Sequence, residues 1–308
     1  MDSGDRGACQ TASVSALRPV PPAACHRRVR PSVDPGLGLA RSGQSTLHNS
    51  RVRRSSGLRA RQSQGSSPHP SSFTLRGGEK VTTELPTVEL YSDIHCPWAY
   101  LSLYRLRKIW PEYRERVRIS FRALSLELKN ERSTPKPTVD IETTLMNLQE
   151  PDLPIQPWQR PDWEYVPTLL PAFEAERAAA LQGDEAAMEF AWAVRNAFFA
   201  KSRTICTRFE LARVAGDAGL DVARFLADWD SGQMRETILR ESHHGWEELK
   251  VQGSPTFVLP SGKHVWNPGA ARVTWGLRRT IKEIVWPEQG GDRLSPFRQM
   301  LEDAVGEK

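Results

Sequence analysis

Asp93-Ile94-His95-Cys96-Pro97-Trp98-Ala99-Tyr100-Leu101 is the stretch on which the reading of this chain turns. Just before it, Thr87 to Tyr91 combines β-branched and aromatic residues with partial alternation, and is expected to be a strand. Just after it, Tyr100 to Trp110 places Leu101, Tyr104, Leu106 and Ile109 at helical spacing. Cys96 therefore falls on the turn from strand to helix, with Pro97 at the first helical position, where a missing N–H costs nothing. The free N–H groups of a helix start face a sulfur at that point. Such a site stabilises a thiolate, and thiol pKa values of roughly 3.5–7.5 are found there. The stretch predicts a reactive thiol.

Downstream, Val117 to Leu124 alternates strictly and predicts a second strand. Strand, helix and strand at this spacing form a βαβ unit with parallel strands. Residues 125–165 are rich in proline and predict loops with one short helix near Ile141–Gln149. Trp158, Trp163 and Tyr165 in this region have two readings: they line a cleft, or they pack the loop onto the body. From Pro171 to Lys250 the pattern is helical, in four or five segments. Gly183-Asp184 is one break, Thr204 or Thr207 caps the next helix, and Asp221 opens another. Strand character returns at Gly253-Ser254-Pro255-Thr256-Phe257-Val258-Leu259. A turn at Pro260–Lys263 follows, then a partner strand at His264-Val265-Trp266. Ala270 to Val285 is expected to be the closing helix, and residues 287–308 a polar tail with one further helical turn.

The chain has 308 residues and a formal net charge of +5, with the positive charge concentrated in the first eighty residues and a mildly acidic remainder. Nothing in the body resembles a nucleic-acid patch. No apolar run reaches the roughly 18 residues of a membrane span. Residues 1–81, rich in Ser, Arg, Pro and Gly, predict a disordered extension. They read as an organellar transit peptide, as a tail without function, or as translated sequence upstream of a true start near Val81. The cytoplasm is the expected location, with an organelle as the alternative. The four cysteines, Cys9, Cys25, Cys96 and Cys206, include no close pair. That is not a disulfide framework, and it favours a reducing compartment.

The order βαβ, helical block, ββα is that of a thioredoxin fold split by an insertion. The chain resembles the DsbA-like thioredoxin family, which includes FrnE-type oxidoreductases, kappa-class glutathione transferases and 2-hydroxychromene-2-carboxylate isomerases. Three features carry the resemblance. Asp93-x-x-Cys96-Pro97-Trp98-x-Tyr100-Leu101 is similar to the family's Asp-x-x-Cys-Pro-Trp-Cys-Tyr-Leu turn. Gly253 to Phe257 is similar to the loop that carries a cis-proline beside the active cysteine. Ala215 to Asp221 is similar to a helix end of the inserted module. The resemblance implies an α/β thioredoxin-like domain over residues 82–286 with an all-helical module inserted at about 125–250. It also implies a catalytic Cys96, a cis Pro255, and substrate contacts from Pro97, Trp98, Ser254, Pro255 and Thr256. Without it, Gly-Ser-Pro reads as a trans proline opening an edge strand.

The chain departs from the family pattern at Ala99, where a dithiol site has its second cysteine. Cys96 can form a mixed disulfide, but Ala99 cannot release it. Turnover then needs glutathione or another low-molecular-weight thiol as co-substrate, or Cys206, whose other reading is a buried inert thiol. Four functions follow: a monothiol thiol–disulfide oxidoreductase, a glutathione-type transferase or isomerase, a redox sensor, and a binding protein with a vestigial site. The partners expected are a small thiol and a thiol- or disulfide-bearing substrate, with no bound cofactor and no metal; a homodimer is left open. His95 is a modulating residue whose imidazolium would lower the thiol pKa, or it points to solvent. His243 and His244, about 100° apart on a helix, read as surface residues.

Overall fold

The computed structural model describes residues 84–306, apart from 278–279 and 288–290. The expected disordered extension, with Cys9 and Cys25, lies outside the described residues.

Strand β1 (Thr87–Ser92) runs into α1 (Pro97–Tyr113), and β2 (Arg118–Ala123) returns parallel to β1 with Leu90 opposite Phe121. The strict alternation of β2 matches its burial: Ile119, Phe121 and Ala123 point inward. Then come α2 (Leu126–Asn130) and α3 (Lys136–Gln149), the latter beginning five residues before the helix expected at Ile141. Trp158 and Tyr165 follow in the proline-rich loop, which packs onto the body: both rings meet Phe198, at 5.4 and 5.8 Å. Trp163 is 84% exposed.

The helical module comprises α4 (Leu170–Ala180), α5 (Asp184–Phe199), α6 (Arg208–Asp217), α7 (Val222–Asp230) and α8 (Gln233–His243). Thr207 is the cap of α6, its hydroxyl accepting from the Glu210 N–H, and Asp221 caps α7 in the same way through Arg224. The helix expected to run on to Lys250 stops at His243 and passes into one π turn, His244–Glu248. The turn lies close against the sheet: a Cβ on Gly245 would sit 2.7 Å from Leu124 and 2.9 Å from Tyr91. His243 and His244 are on the surface, both against Glu248.

Strand β3 (Thr256–Val258) pairs antiparallel with β1, and β4 (His264–Trp266) pairs antiparallel with β3, giving the order β2-β1-β3-β4. The closing helix expected over 270–285 is not there. Its place is taken by a two-stranded hairpin, β5 (Arg272–Trp275) and β6 (Ile281–Val285). Val273, Thr274, Ile281, Ile284 and Val285 are β-branched and stiff at χ1, which suits a pleated strand better than a helix. Of the hairpin's described residues, Val273 and Ile284 pack on the core. The closing helix is α9 (Ser295–Gly306), twelve residues long, in the segment expected to be a polar tail with one helical turn. Phe297, Met300, Leu301 and Ala304 bury its inner face against Leu106, Ile109 and Phe257. The whole is an α/β thioredoxin-like fold with helices inserted between β2 and β3.

Candidate functional site

Cys96 is the N-cap of α1, with extended backbone (φ −89°, ψ 114°) and Pro97 as the first helical residue. Its carbonyl accepts from the Ala99 and Tyr100 N–H groups, which locks the first turn. The Ser254–Pro255 peptide bond is cis, the form the resemblance implies. The Cys96 Sγ–H donates to the Ser254 carbonyl at 3.4 Å, so the first turn of α1 and the proline loop meet at the sulfur.

Asp93 joins the pieces around that sulfur. Its Oδ1 accepts from the His95 N–H at 2.6 Å and its Oδ2 from the Leu126 N–H at 2.7 Å. Its own N–H donates to the Ser254 hydroxyl at 2.8 Å. One side chain and one amide thus tie the end of β1 to the start of α2 and to the proline loop. Burial pushes the Asp93 carboxyl up to about 6, against the pull of the two N–H donors and Arg195.

The surroundings of Cys96 reverse the expected activation. The residue is 5% exposed. Burial, then the nearby Glu142 carboxylate, push the thiol up to about 12, over the opposing pull of the Ser254 and Ala99 contacts. A helix N-terminus favours the thiolate, but loss of water around a charge costs more than a terminus worth at most about 2 kcal/mol returns. The resting site holds a protonated thiol.

His95 does not supply a cation either. It is buried, and burial lowers its pKa to about 3, so the ring is neutral at pH 7. Its Nε2 shares a hydrogen bond of 2.6 Å with the Tyr165 hydroxyl, and its ring lies edge-on to Phe198. Both expectations for this residue, an imidazolium beside the sulfur and a ring in solvent, are corrected. Loop 150–167 and α5 close over it.

A cleft of about 360 Å³ opens beside the sulfur. His95, Cys96, Trp98 and Ser254 line it, with Trp266, Trp275, Glu142 and Arg272 on further elements. Pro97 is buried under the first turn of α1, and Thr256 is buried at the start of β3, its hydroxyl donating to the Gly253 carbonyl. Neither Pro97, Pro255 nor Thr256 is among the lining residues. Gly253 lies close to the Trp266 indole: a Cβ there would come within 3.2 Å of its Nε1. Cys206 is a free, half-buried thiol packed against the helical core and does not line the cleft.

Sequence reasoning missed Glu142, Arg272, Trp266 and Trp275 as cleft residues, and Asp93 as a tether. Asp93 carried a signal, an acceptor at a strand end just before a turn. The others are brought to Cys96 only by the tertiary fold.

The family profile of the DSBA-like thioredoxin domain matches residues 87–275. No curated protein sequence matches the chain. Among solved structures, the chain is similar to a "putative protein disulfide isomerase" from Nitrosomonas europaea, at 16% identity and a TM-score of 0.52, covering 73% of this chain and 99% of that one. It is also similar to a "probable DsbA oxidoreductase" from Streptomyces coelicolor, at 18% identity and a TM-score of 0.51, covering 72% and 91%. The cytosolic disulfide reductase DsbM from Pseudomonas aeruginosa aligns at 16% identity and a TM-score of 0.47, covering 71% and 100%. At these identities the likeness concerns the fold.

Proposed function

Because the chain belongs to the DSBA-like thioredoxin domain family, we propose that it is a monothiol thiol–disulfide oxidoreductase that works through Cys96 with glutathione or a related small thiol as co-substrate. One observation carries this reading: the Cys96 sulfur lies on the floor of an open cleft, at a helix N-cap and 3.4 Å from the carbonyl of the cis-proline loop. An extended disulfide-bearing segment can lie along that loop and present its sulfur to Cys96.

The reaction balances with one protein thiol. Cys96 gives up its proton and attacks the small-thiol sulfur of a mixed disulfide. The S–S bond breaks, and the departing substrate thiolate takes the proton. A second small thiol then attacks the Cys96 mixed disulfide and leaves as the symmetric disulfide, returning Cys96 as a thiol. Ala99 offers no internal route. The protonated resting thiol also sets the direction. Dithiol sites that stabilise their reduced form as a thiolate are strong oxidants. Cys96 lacks that stabilisation, so its mixed disulfide persists and the site favours reduction of substrate.

The test is reduction of a peptide–glutathione mixed disulfide. Turnover is expected only with added small thiol, and is expected to vanish in Cys96→Ser. Turnover without added thiol would overturn the monothiol scheme.

The raised thiol pKa favours a second reading, a thiol transferase or isomerase in which the Cys96 S–H donates a hydrogen bond to a bound thiolate. In that case Cys96→Ser keeps activity, because a hydroxyl donates as well.

A further inference from the structure

Asp93 is a buried acid that the exchange reaction does not use, yet it holds three elements at the sulfur. Its backbone N–H fixes the proline loop through the Ser254 hydroxyl, a bond with no titrating partner. Its two carboxylate oxygens are each taken by one N–H, from His95 at 2.6 Å and from Leu126 at 2.7 Å. The two bonds differ in reach. The first closes a turn between residues two apart in the chain. The second crosses to α2, which lines the cleft through Leu126 and Asn130. Other long-range hydrogen bonds of α2 and its cap go to the helical module and its flanks: Ser125 to Ser242 and Trp246, Glu127 to the Leu169 N–H, and Lys129 to Glu247. Among the described residues, Asp93 is the hydrogen-bonded link from α2 to the turn that carries Cys96. A carboxylate accepts at both oxygens, whereas a carboxylic acid turns one of them into a donor. With an N–H already aimed at each oxygen, one of the two bonds is lost when Asp93 takes a proton. Chain connectivity holds the turn to His95, so the bond to Leu126 is the one that gives way.

We propose that Asp93 is a positioning residue whose ionised carboxylate clamps α2 to the Cys96 turn and keeps the thiol guarded, and that its protonation in mildly acidic solution frees α2 and exposes Cys96. The guard acts on access to the sulfur, so it goes beyond the exchange reading and holds for whichever reaction Cys96 performs. Two effects of protonation run in the same direction. Freeing Leu126 and Asn130 lets water reach a thiol that burial keeps protonated. Neutralising Asp93 also removes one of the charges that oppose the thiolate. The charged groups that face Asp93 are Arg195 from α5, which favours its ionised form, and Glu127 from α2, which opposes it. The neighbouring His95 ring is neutral and the Cys96 thiol protonated. Burial outweighs the two N–H donors and Arg195, and the carboxyl sits at about 6. Between the ordinary 3.8 and about 6, the folded chain binds this proton and the unfolded chain does not. Acid therefore favours the fold through Asp93 while it loosens α2.

The test is the rate at which methyl methanethiosulfonate labels Cys96 in the full chain, assigned by peptide mass and divided by the rate for N-acetylcysteine methyl ester at the same pH. Both thiols stay below their pKa values between about pH 4.5 and about pH 7.5, so the ratio is flat unless a second group titrates. It is expected to rise about tenfold as the pH falls through about 6, as for loss of one charge-assisted hydrogen bond. Asp93→Asn keeps one acceptor and sets an NH2 group against the other N–H. Its ratio is expected to be high at every pH, with no step. A flat or falling ratio in the unsubstituted chain, or a step that survives in Asp93→Asn, would overturn the proposal. Amide hydrogen exchange in the unsubstituted chain gives a second measurement. Protection of the Leu126 N–H, corrected for its intrinsic rate, is expected to drop about tenfold between about pH 7 and about pH 5. The Leu90 N–H of β1 is expected to stay as protected as before. Unchanged protection at Leu126, or an equal loss at both amides, would show that Asp93 does not release α2 and would remove the guard.

Discussion

Cys96 shows how far one residue's environment can depart from its local sequence. Strand, Cys-Pro and helix place the sulfur at an N-cap, and that placement is local chemistry legible in nine residues. Burial is not local. It comes from Ser254, from α3 and from the β4–β5 connection, all more than thirty residues away along the chain. Burial disfavours the charged form of an acid, so the thiol pKa moves up. Alkylation of Cys96, assigned by peptide mass, is therefore expected to rise with pH well past the roughly 8.5 of a free thiol. The direction is toward about 12. A midpoint at or below the free-thiol value would show that the helix N-terminus outweighs desolvation here. The same environment weakens the sensor reading, since oxidation to a sulfenic acid follows thiolate character and exposure. His95 obeys the same rule with the opposite sign: burial holds its base neutral, and the Tyr165 hydroxyl takes its Nε2. Adjacent to a cysteine in sequence, it is directed by the fold toward the aromatic loop.

At the scale of elements, the least legible part of the chain is the one that walls the cleft. Residues 270–285 begin with Ala-Ala, and the resembling fold calls for a helix there, yet β-branched residues dominate and a hairpin forms. Two devices fix its approach. The Gln149 amide donates to the Gly269 carbonyl at 3.0 Å and accepts from the Ala271 N–H at 3.1 Å, gripping the connection from both sides. Arg105, 1% exposed, donates to the same Gly269 carbonyl at 2.7 Å and is held by Glu150 at 3.0 Å. No sequence pattern announces such a clamp, because α1, α3 and the β4–β5 connection supply one part each. Its energetics follow from burial. Removing one member of a buried ion pair leaves the other charge uncompensated and costs about 3–5 kcal/mol. Glu150→Ala should show that loss in urea unfolding, with a lower midpoint and an unchanged slope. A loss below about 1 kcal/mol, the range of exposed pairs, would mean that the carbonyl of Gly269 and water already satisfy Arg105.

For the whole molecule, the question is whether the inserted helices form a separate body or part of the thioredoxin core. The segmented helical pattern between two strand-rich regions was readable as an insertion, because helix caps such as Thr207 and Asp221 and breaks such as Gly183 are local signals. Its attachment was not readable, since it consists of buried charges. Arg195 on α5 pairs with Glu176 on α4 at 2.7 Å, both at most 1% exposed, and donates to Ser92 at the end of β1 at 3.0 Å. Arg177 on α4 donates to the Phe121 carbonyl of β2 and pairs with Glu241 on α8, whose other oxygen accepts from the Ala123 N–H at 2.9 Å. Two guanidinium groups thus join three helices to both parallel strands, directly behind the turn that carries Cys96. Detachment would break the charge-assisted hydrogen bonds to Ser92, Phe121 and Ala123 and open the core that Ile94, Tyr100 and Ala123 share with Phe173, Phe190 and Phe198, so the module and the sheet are expected to unfold together. Far-ultraviolet circular dichroism, dominated by the helices, and the tryptophan fluorescence of a variant in which Trp192 and Trp229 of the module are replaced by phenylalanine should give coincident transitions in denaturant. A helical transition at lower denaturant than the tryptophan transition would show that the module is an independent unit. The geometry of the Cys96 turn would then have to be maintained by Asp93 and the proline loop alone.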